Sequence, residues 1–188
     1  MLAPKNSFLY AQQTWANWQP EFEAAAAATG VPAVWLLGLA TVESGLWAKN
    51  PEQQRTIGSS AGARGIMQIM PMNAPSLGIK ADDLFIPSVN IMSGARLFRD
   101  MAKGKAGDYV GATGKYNSGS LCCPGRNAYN LCTDSVDGIP YPELAARYVN
   151  SAILEMGIAT EAGGGASVLP WIVGGAVGLL AFMWVRRR

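Results

Sequence analysis

Histidine is absent from all 188 residues. That excludes Ser/His and Cys/His nucleophile pairs and any imidazole metal site. Charge is sparse: the net value is +2, and three of the fifteen basic residues are the terminal Arg186, Arg187 and Arg188. The remainder cannot form the basic face that binds nucleic acid, so nucleic acid is not an expected partner. Cysteine is limited to Cys122, Cys123 and Cys132, within one loop-like stretch. A structural zinc site needs four thiolates, or thiolates with histidine, so neither metal nor other cofactor is expected. The spacing allows one local disulfide, Cys132 to Cys122 or Cys123, or three reduced thiols, and both readings stay open. The opening MLAPKNSFLYAQQTW lacks a basic start followed by an apolar run, so no ordinary secretory signal is expected. No strand pattern of any length is visible either, which leaves a mostly α chain. Hydrolytic chemistry here would have to rest on carboxylates, tyrosine, lysine or cysteine.

What is present is helical periodicity. Ser7–Thr29 reads as a helix with Trp15, Trp18 and Phe22 apolar, and Gly30 breaks it. Asn50–Gly65 reads as loop with a short hairpin. In Ser88–Lys103, Ile91, Ala95, Phe98 and Met101/Ala102 form an apolar stripe. A shorter helix over Asp108–Asn117 carries Gly111 and Gly114, whose cost in helix propensity points to close packing against another backbone. Gly119–Gly138 reads as loop, and Leu144–Met156 is again amphipathic.

One carboxylate stands out. In Pro32–Gly45 (PAVWLLGLATVESG), Leu36, Leu39, Ala40 and Glu43 follow i, i+3, i+4, i+7 and share a face. Gly45 is expected just past the helix end. Burial and the negative end of the helix dipole both favour a protonated Glu43, as a general acid requires. Glu52, Asp82, Asp83 and Asp108 lie in loops or at helix starts, where solvated or capping roles are expected.

Composition then changes. Gly157–Ser167 (GIATEAGGGAS) reads as a flexible linker with a reach of roughly 20 Å. Val168–Val185 has no charged residue and, as a helix, spans about 27 Å. Trp171 and Trp184 lie near its ends and the Arg triplet follows, so one C-terminal transmembrane helix is expected, with the basic tail on the cytoplasmic side. Gly174 and Gly178 form a GxxxG pair that would allow the anchors to self-associate. The expected organisation is an N-terminal helical extension (1–29), a helical domain (30–156), a linker (157–167), a membrane span (168–185) and a basic tail (186–188).

Several short motifs occur together. Glu43-Ser44 is followed by Gly62-Ala63-Arg64-Gly65-Ile66-Met67-Gln68-Ile69-Met70-Pro71. Then come Asp83-Leu84-Phe85, Pro87, Asn90-Ile91, Gly94-Ala95, Tyr116-Asn117-Ser118-Gly119 and Tyr148-Val149. In this order and spacing, the set over about Gly30–Met156 resembles the lytic transglycosylases, lysozyme-like helical enzymes that cut peptidoglycan. There are departures. Ile66 replaces Leu, Leu144-Ala145 stands where the family has Glu-Thr, Pro75 interrupts a normally continuous helix, and Ser120–Gly138 replaces a short connection.

The resemblance implies a reaction with one carboxyl group. Glu43 would protonate the glycosidic oxygen between MurNAc and GlcNAc, then deprotonate the sugar's own 6-hydroxyl as it closes on C1 to form a 1,6-anhydro product. It implies substrate contacts from Ser44, Gly65, Met67, Gln68, Tyr116, Asn117 and Tyr148. Gln68 and Asn117 would offer amide groups to the sugars, and Tyr116 would stack on a sugar or steer Glu43 through its hydroxyl. Met67 has a second reading as core or cleft floor, Ser44 as a helix-end polar residue and Tyr148 as part of a helix stripe. The expected setting is a single-pass protein in a virion internal membrane or a bacterial inner membrane, with the catalytic domain facing the wall. It would serve local wall penetration by a membrane-containing bacteriophage, or wall remodelling for a host secretion or conjugation machine. A hydrolytic muramidase and a non-enzymatic glycan-binding virion protein are the alternatives.

Overall fold

Gly30 does stop the first helix. In the computed structural model, which describes residues 7–103, 108–118, 135–136 and 138–158, α1 runs Leu9–Thr29. Gly30 takes the left-handed conformation (φ 75°), with its N–H on the Ala26 carbonyl at 2.8 Å. The helix is not straight. Pro20 has no N–H and its ring crowds the preceding turn, and Trp18 takes non-helical angles (φ −134°, ψ 17°). Ala11, Thr14, Trp18, Phe22 and Ala25 form the buried face of α1. The segment expected as an N-terminal extension is therefore built into the core.

Helix α2 (Ala33–Ala40) is apolar on every side, and every residue from Val34 to Ala40 is buried. It passes into a wide turn, Thr41–Gly45. Short helix α3 (Pro51–Thr56) is capped by Asn50, whose side chain accepts from Gln53 N at 2.8 Å. A 3₁₀ turn (Pro71–Asn73) leads into α4 (Ala74–Leu77), with Pro75 accommodated in its first turn and Gly78 as left-handed cap. Another 3₁₀ turn (Ala81–Phe85) precedes α5 (Pro87–Ala102), then α6 (Tyr109–Ser118). Strands β1 (Ser135–Val136) and β2 (Ile139–Pro140) pair antiparallel around Gly138 (φ 77°), and α7 (Tyr141–Met156) follows directly. Two-residue strands are too short to show alternation, which is why no strand pattern was visible in the sequence.

Helix α2 is the centre, with α1 and α7 packed against it, α5 against α1, and α6 bridging α5 and α7. The expected stripe of α5 is buried as anticipated: Ile91, Ala95 and Phe98 at 0 % and Ala102 at 5 % exposure. Gly38 lets α2 and α7 approach, since a Cβ there would meet the Ala145 carbonyl oxygen and Val149 Cγ2 at 2.8 Å. Gly111 has a different reason from the backbone packing expected. The Asp108 carboxylate folds over it and accepts its N–H at 2.8 Å, capping α6.

Among the described residues no helix is long and apolar enough to cross a membrane. The cysteines, most of the linker, the span at 168–185 and the basic tail lie outside the described residues.

Candidate active site

Glu43 does not end a regular helix. Leu46 N bonds to Thr41 O at 2.9 Å, an i→i−5 contact that inserts one extra residue into the turn. The Thr41 hydroxyl favours that widening by donating to the carbonyl four residues back, Leu37 O at 2.7 Å, while Ser44 Oγ lies 3.2 Å from Ala40 O. Thr41, Val42, Ser44 and Gly45 are buried, while Glu43 is half-buried, the only residue of the five that is not enclosed. The helical run ends at Gly45, close to where it was expected, without a left-handed cap, since Leu46 keeps helical angles. Glycine is needed at 45 because a Cβ would meet Thr14 Oγ1 at 2.5 Å.

The motif loop closes against this turn. Arg64 and Ile69 exchange both backbone bonds at 3.0 Å, so Gly65–Gln68 forms a tight reversal. Gly65 (φ 73°) is buried, and a Cβ there would meet Asn90 Nδ2 and the Leu84 carbonyl oxygen at 2.5 Å. Gln68 holds a left-handed conformation (φ 46°), a strain of about 1–2 kcal/mol for a residue with a side chain. Its amide nitrogen offsets this by donating to Ile57 O at 3.1 Å and Gly65 O at 2.7 Å. Asn90, fully buried on α5, organises the loop from beneath. It accepts from Met67 N at 2.7 Å and donates to Leu84 O at 2.7 Å and Arg64 O at 3.0 Å.

Two phenols flank the acid. Tyr141, the first residue of α7, donates to Glu43 Oε1 at 2.5 Å. Tyr116 on α6 donates instead to Met67 O at 2.7 Å and sets its ring edge-on to Phe98. Burial first, and then the Glu43 charge, push both hydroxyls well above their ordinary pKa. Both therefore stay neutral donors at physiological pH. A phenol donor on Oε1 favours a charged carboxylate over a neutral acid.

Several expected substrate contacts take other roles. Ser44 is at 0 % exposure, and its hydroxyl donates to Ile66 O at 2.7 Å, tying the acid's turn to the motif loop. Met67 at 0 % and Tyr148 at 2 % exposure belong to the core, and Gly65 is enclosed. The donors of Gln68 are engaged with backbone. The hydroxyl that steers Glu43 belongs to Tyr141, not Tyr116. Gln68, Tyr116 and Asn117 stay half-buried and keep surface for a ligand.

Sequence reasoning missed Tyr141, yet a signal existed. Tyr141, Leu144, Ala145 and Tyr148 continue the α7 stripe one turn further back than Leu144, where the helix was expected to begin. Of the four other acids singled out, Asp83 and Asp108 cap as expected, while Glu52 and Asp82 form ion pairs. Glu52 pairs with Arg55, Asp82 with Arg64 at 2.9 Å, and Asp83 accepts from Lys80 N at 2.9 Å. Among the described residues no three His, Cys, Asp or Glu side chains converge as metal ligands.

A family model for the transglycosylase SLT domain matches residues 20–130. No curated protein matches the chain. Among solved structures, an inactive variant of the lytic transglycosylase Slt from Pseudomonas aeruginosa shares 21% identity at a TM-score of 0.58, covering 74% of this chain and 24% of that one. The 70-kDa soluble lytic transglycosylase of Escherichia coli aligns with 21% identity and a TM-score of 0.58, covering 79% of this chain and 27% of that one. A 70-kDa soluble lytic transglycosylase in complex with bulgecin A gives 19% identity and 0.59 over the same shares. The chain thus spans about a quarter of the length of these structures and shares their lysozyme-like helical fold.

Proposed function

The chain belongs to the transglycosylase SLT domain family, and from that membership we propose that it is a lytic murein transglycosylase acting on peptidoglycan strands. The observation that carries the proposal is Glu43 on its wide turn. It is half-buried, held by Tyr141 at 2.5 Å, and the acids Glu52, Asp82, Asp83 and Asp108 are each engaged elsewhere.

With Asp83 capping a turn, Glu43 is the one other carboxyl group inside the motif set, and the site suits a reaction whose nucleophile comes from the substrate. With the phenol on Oε1, the proton for the leaving group rides on the other carboxyl oxygen. Glu43 gives that proton to the glycosidic oxygen as the bond from MurNAc C1 breaks. The resulting carboxylate, stabilised by Tyr141, takes the proton of the MurNAc 6-hydroxyl as its oxygen bonds to C1. Glu43 is protonated again, a 1,6-anhydroMurNAc end forms, and no water is consumed. Tyr116, Asn117 and the outer surface of Gln68 line the path of the glycan.

The proposal includes a tether. Val168–Val185 is uncharged, carries Trp171 and Trp184 near its ends and is followed by three arginines. An enzyme held by a linker of roughly 20 Å cuts only wall close to its membrane. That local opening suits a membrane-containing bacteriophage during infection.

The test is mass spectrometry of peptidoglycan digested by the full-length protein in detergent, beside Glu43→Gln. Anhydro-muropeptides from the wild type alone support the proposal. Reducing ends would make it a hydrolase, and no products would leave a glycan-binding protein.

A further inference from the structure

Glu43 has a neighbour whose surroundings reach far from the cleft. The Ser44 hydroxyl accepts a bond from Gln54 Nε2 at 3.0 Å, besides donating to Ile66 O. The Gln54 amide also lies 3.4 Å from Thr14 Oγ1, and its oxygen accepts from the indole N–H of Trp18 at 2.8 Å. Ser44, Thr14, Gln54 and Trp18 are 0 %, 1 %, 2 % and 8 % exposed, so this polar chain is closed to water. It joins α1 and α3 to the turn that carries the acid.

Donor chemistry gives the chain a direction. An indole nitrogen can only donate, so Trp18 requires the amide oxygen of Gln54 to face it. The amide nitrogen must then face Ser44 and Thr14. Ser44, receiving that bond, has its single hydrogen free for a carbonyl, and the shorter contact is to Ile66 O on the motif loop. The kink of α1 lies at Trp18 itself, and Gly45 admits Thr14 at the same turn. Trp18 and Thr14 both precede residue 20, where the family match begins.

We propose that Trp18 and Gln54 are positioning residues for Glu43, acting through Ser44 to hold the wide turn in register with the motif loop. The inference rests on the reading of Glu43 as the catalytic acid. The kinked first helix is then part of what aims the carboxyl group, in addition to being part of the core.

The experiment uses full-length protein in detergent and measures glycan release by any product, anhydro or reducing. Trp18→Phe keeps the ring and removes the donor; Gln54→Leu removes both ends of the relay. Each is expected to lower kcat about tenfold with KM within about twofold. Phe22→Leu, on the same face of α1, serves as a destabilised control with kcat unchanged. In a double-mutant cycle, Trp18→Phe with Ser44→Ala should lose no more than the worse single change, because both break one path. A kcat equal to wild type in Trp18→Phe, or losses that multiply, would overturn the relay. Reducing-end products from the wild type would overturn the transglycosylase reading and leave the relay standing. A wild type that releases nothing would sink both.

Discussion

Tyr141 donates its phenolic hydrogen to Glu43 Oε1 at 2.5 Å, joining positions ninety-eight residues apart. The contact makes the first residue of α7 part of the environment of an acid carried by the turn after α2. Ser44 fixes the other side of that turn through Ile66 O. The carboxyl group is therefore held from two elements that lie far away in the chain.

Tyr141→Phe retains the ring and removes this bond. A hydrogen bond to a charged group contributes about 1.5–3 kcal/mol, so kcat should fall by roughly 10- to 100-fold. Phenol donation favours the carboxylate, so its loss should move the alkaline limb of the pH–rate profile to higher pH. An unchanged profile with unchanged kcat would remove Tyr141 from the mechanism.

Stability should respond to alkali through the same phenols. The folded pKa values of Tyr116 and Tyr141 are raised above the unfolded value, by burial first and then by Glu43. Their contribution is fully present below the unfolded pKa of about 10 and is lost as pH rises towards the folded values. Denaturant midpoints measured between neutral pH and pH 11 should fall, and fall less in Tyr141→Phe.

Asn90→Leu tests the support under the motif loop. It leaves Met67 N and the Leu84 carbonyl without their partner, while the Arg64 carbonyl keeps Ile69 N. Each buried unpaired group costs about 1–3 kcal/mol, so a loss of at least about 2 kcal/mol is expected in chemical denaturation. A change under 1 kcal/mol would mean that these groups find new partners.

Gly38→Ala should separate α2 from α7. The added methyl meets a backbone oxygen at 2.8 Å, and overpacking of this kind costs about 1–3 kcal/mol. Calorimetry should show a lower unfolding midpoint, with activity falling as Tyr141 withdraws from Glu43. A midpoint equal to wild type would show that the two helices can part freely.

Much of this was legible in the linear chain because it depends on neighbours. The α5 stripe, the stop at Gly30 and the capping carboxylates of Asp83 and Asp108 follow from spacing and local hydrogen bonding. The placement of Glu43 after an apolar, buried helix was legible for the same reason. The bend at Trp18 also had a local cause, Pro20, but the helical pattern around it masked the break. The roles of Ser44 and Gly65 were not legible, since a motif names residues without saying which way they point, whereas a core place was one of the two readings of Met67.

The sequence alone determined the helical plan and the motif order that places the chain in its family, because periodicity and motif spacing are local properties. Only the tertiary structure decided which groups touch the acid. In the wide turn at Thr41–Gly45 Glu43 is half-buried while Ser44 is enclosed. The packing of α7 on α2 brings Tyr141 rather than Tyr116 to the carboxyl group. A contact between residues ninety-eight apart depends on how helices pack, and no window of sequence contains it.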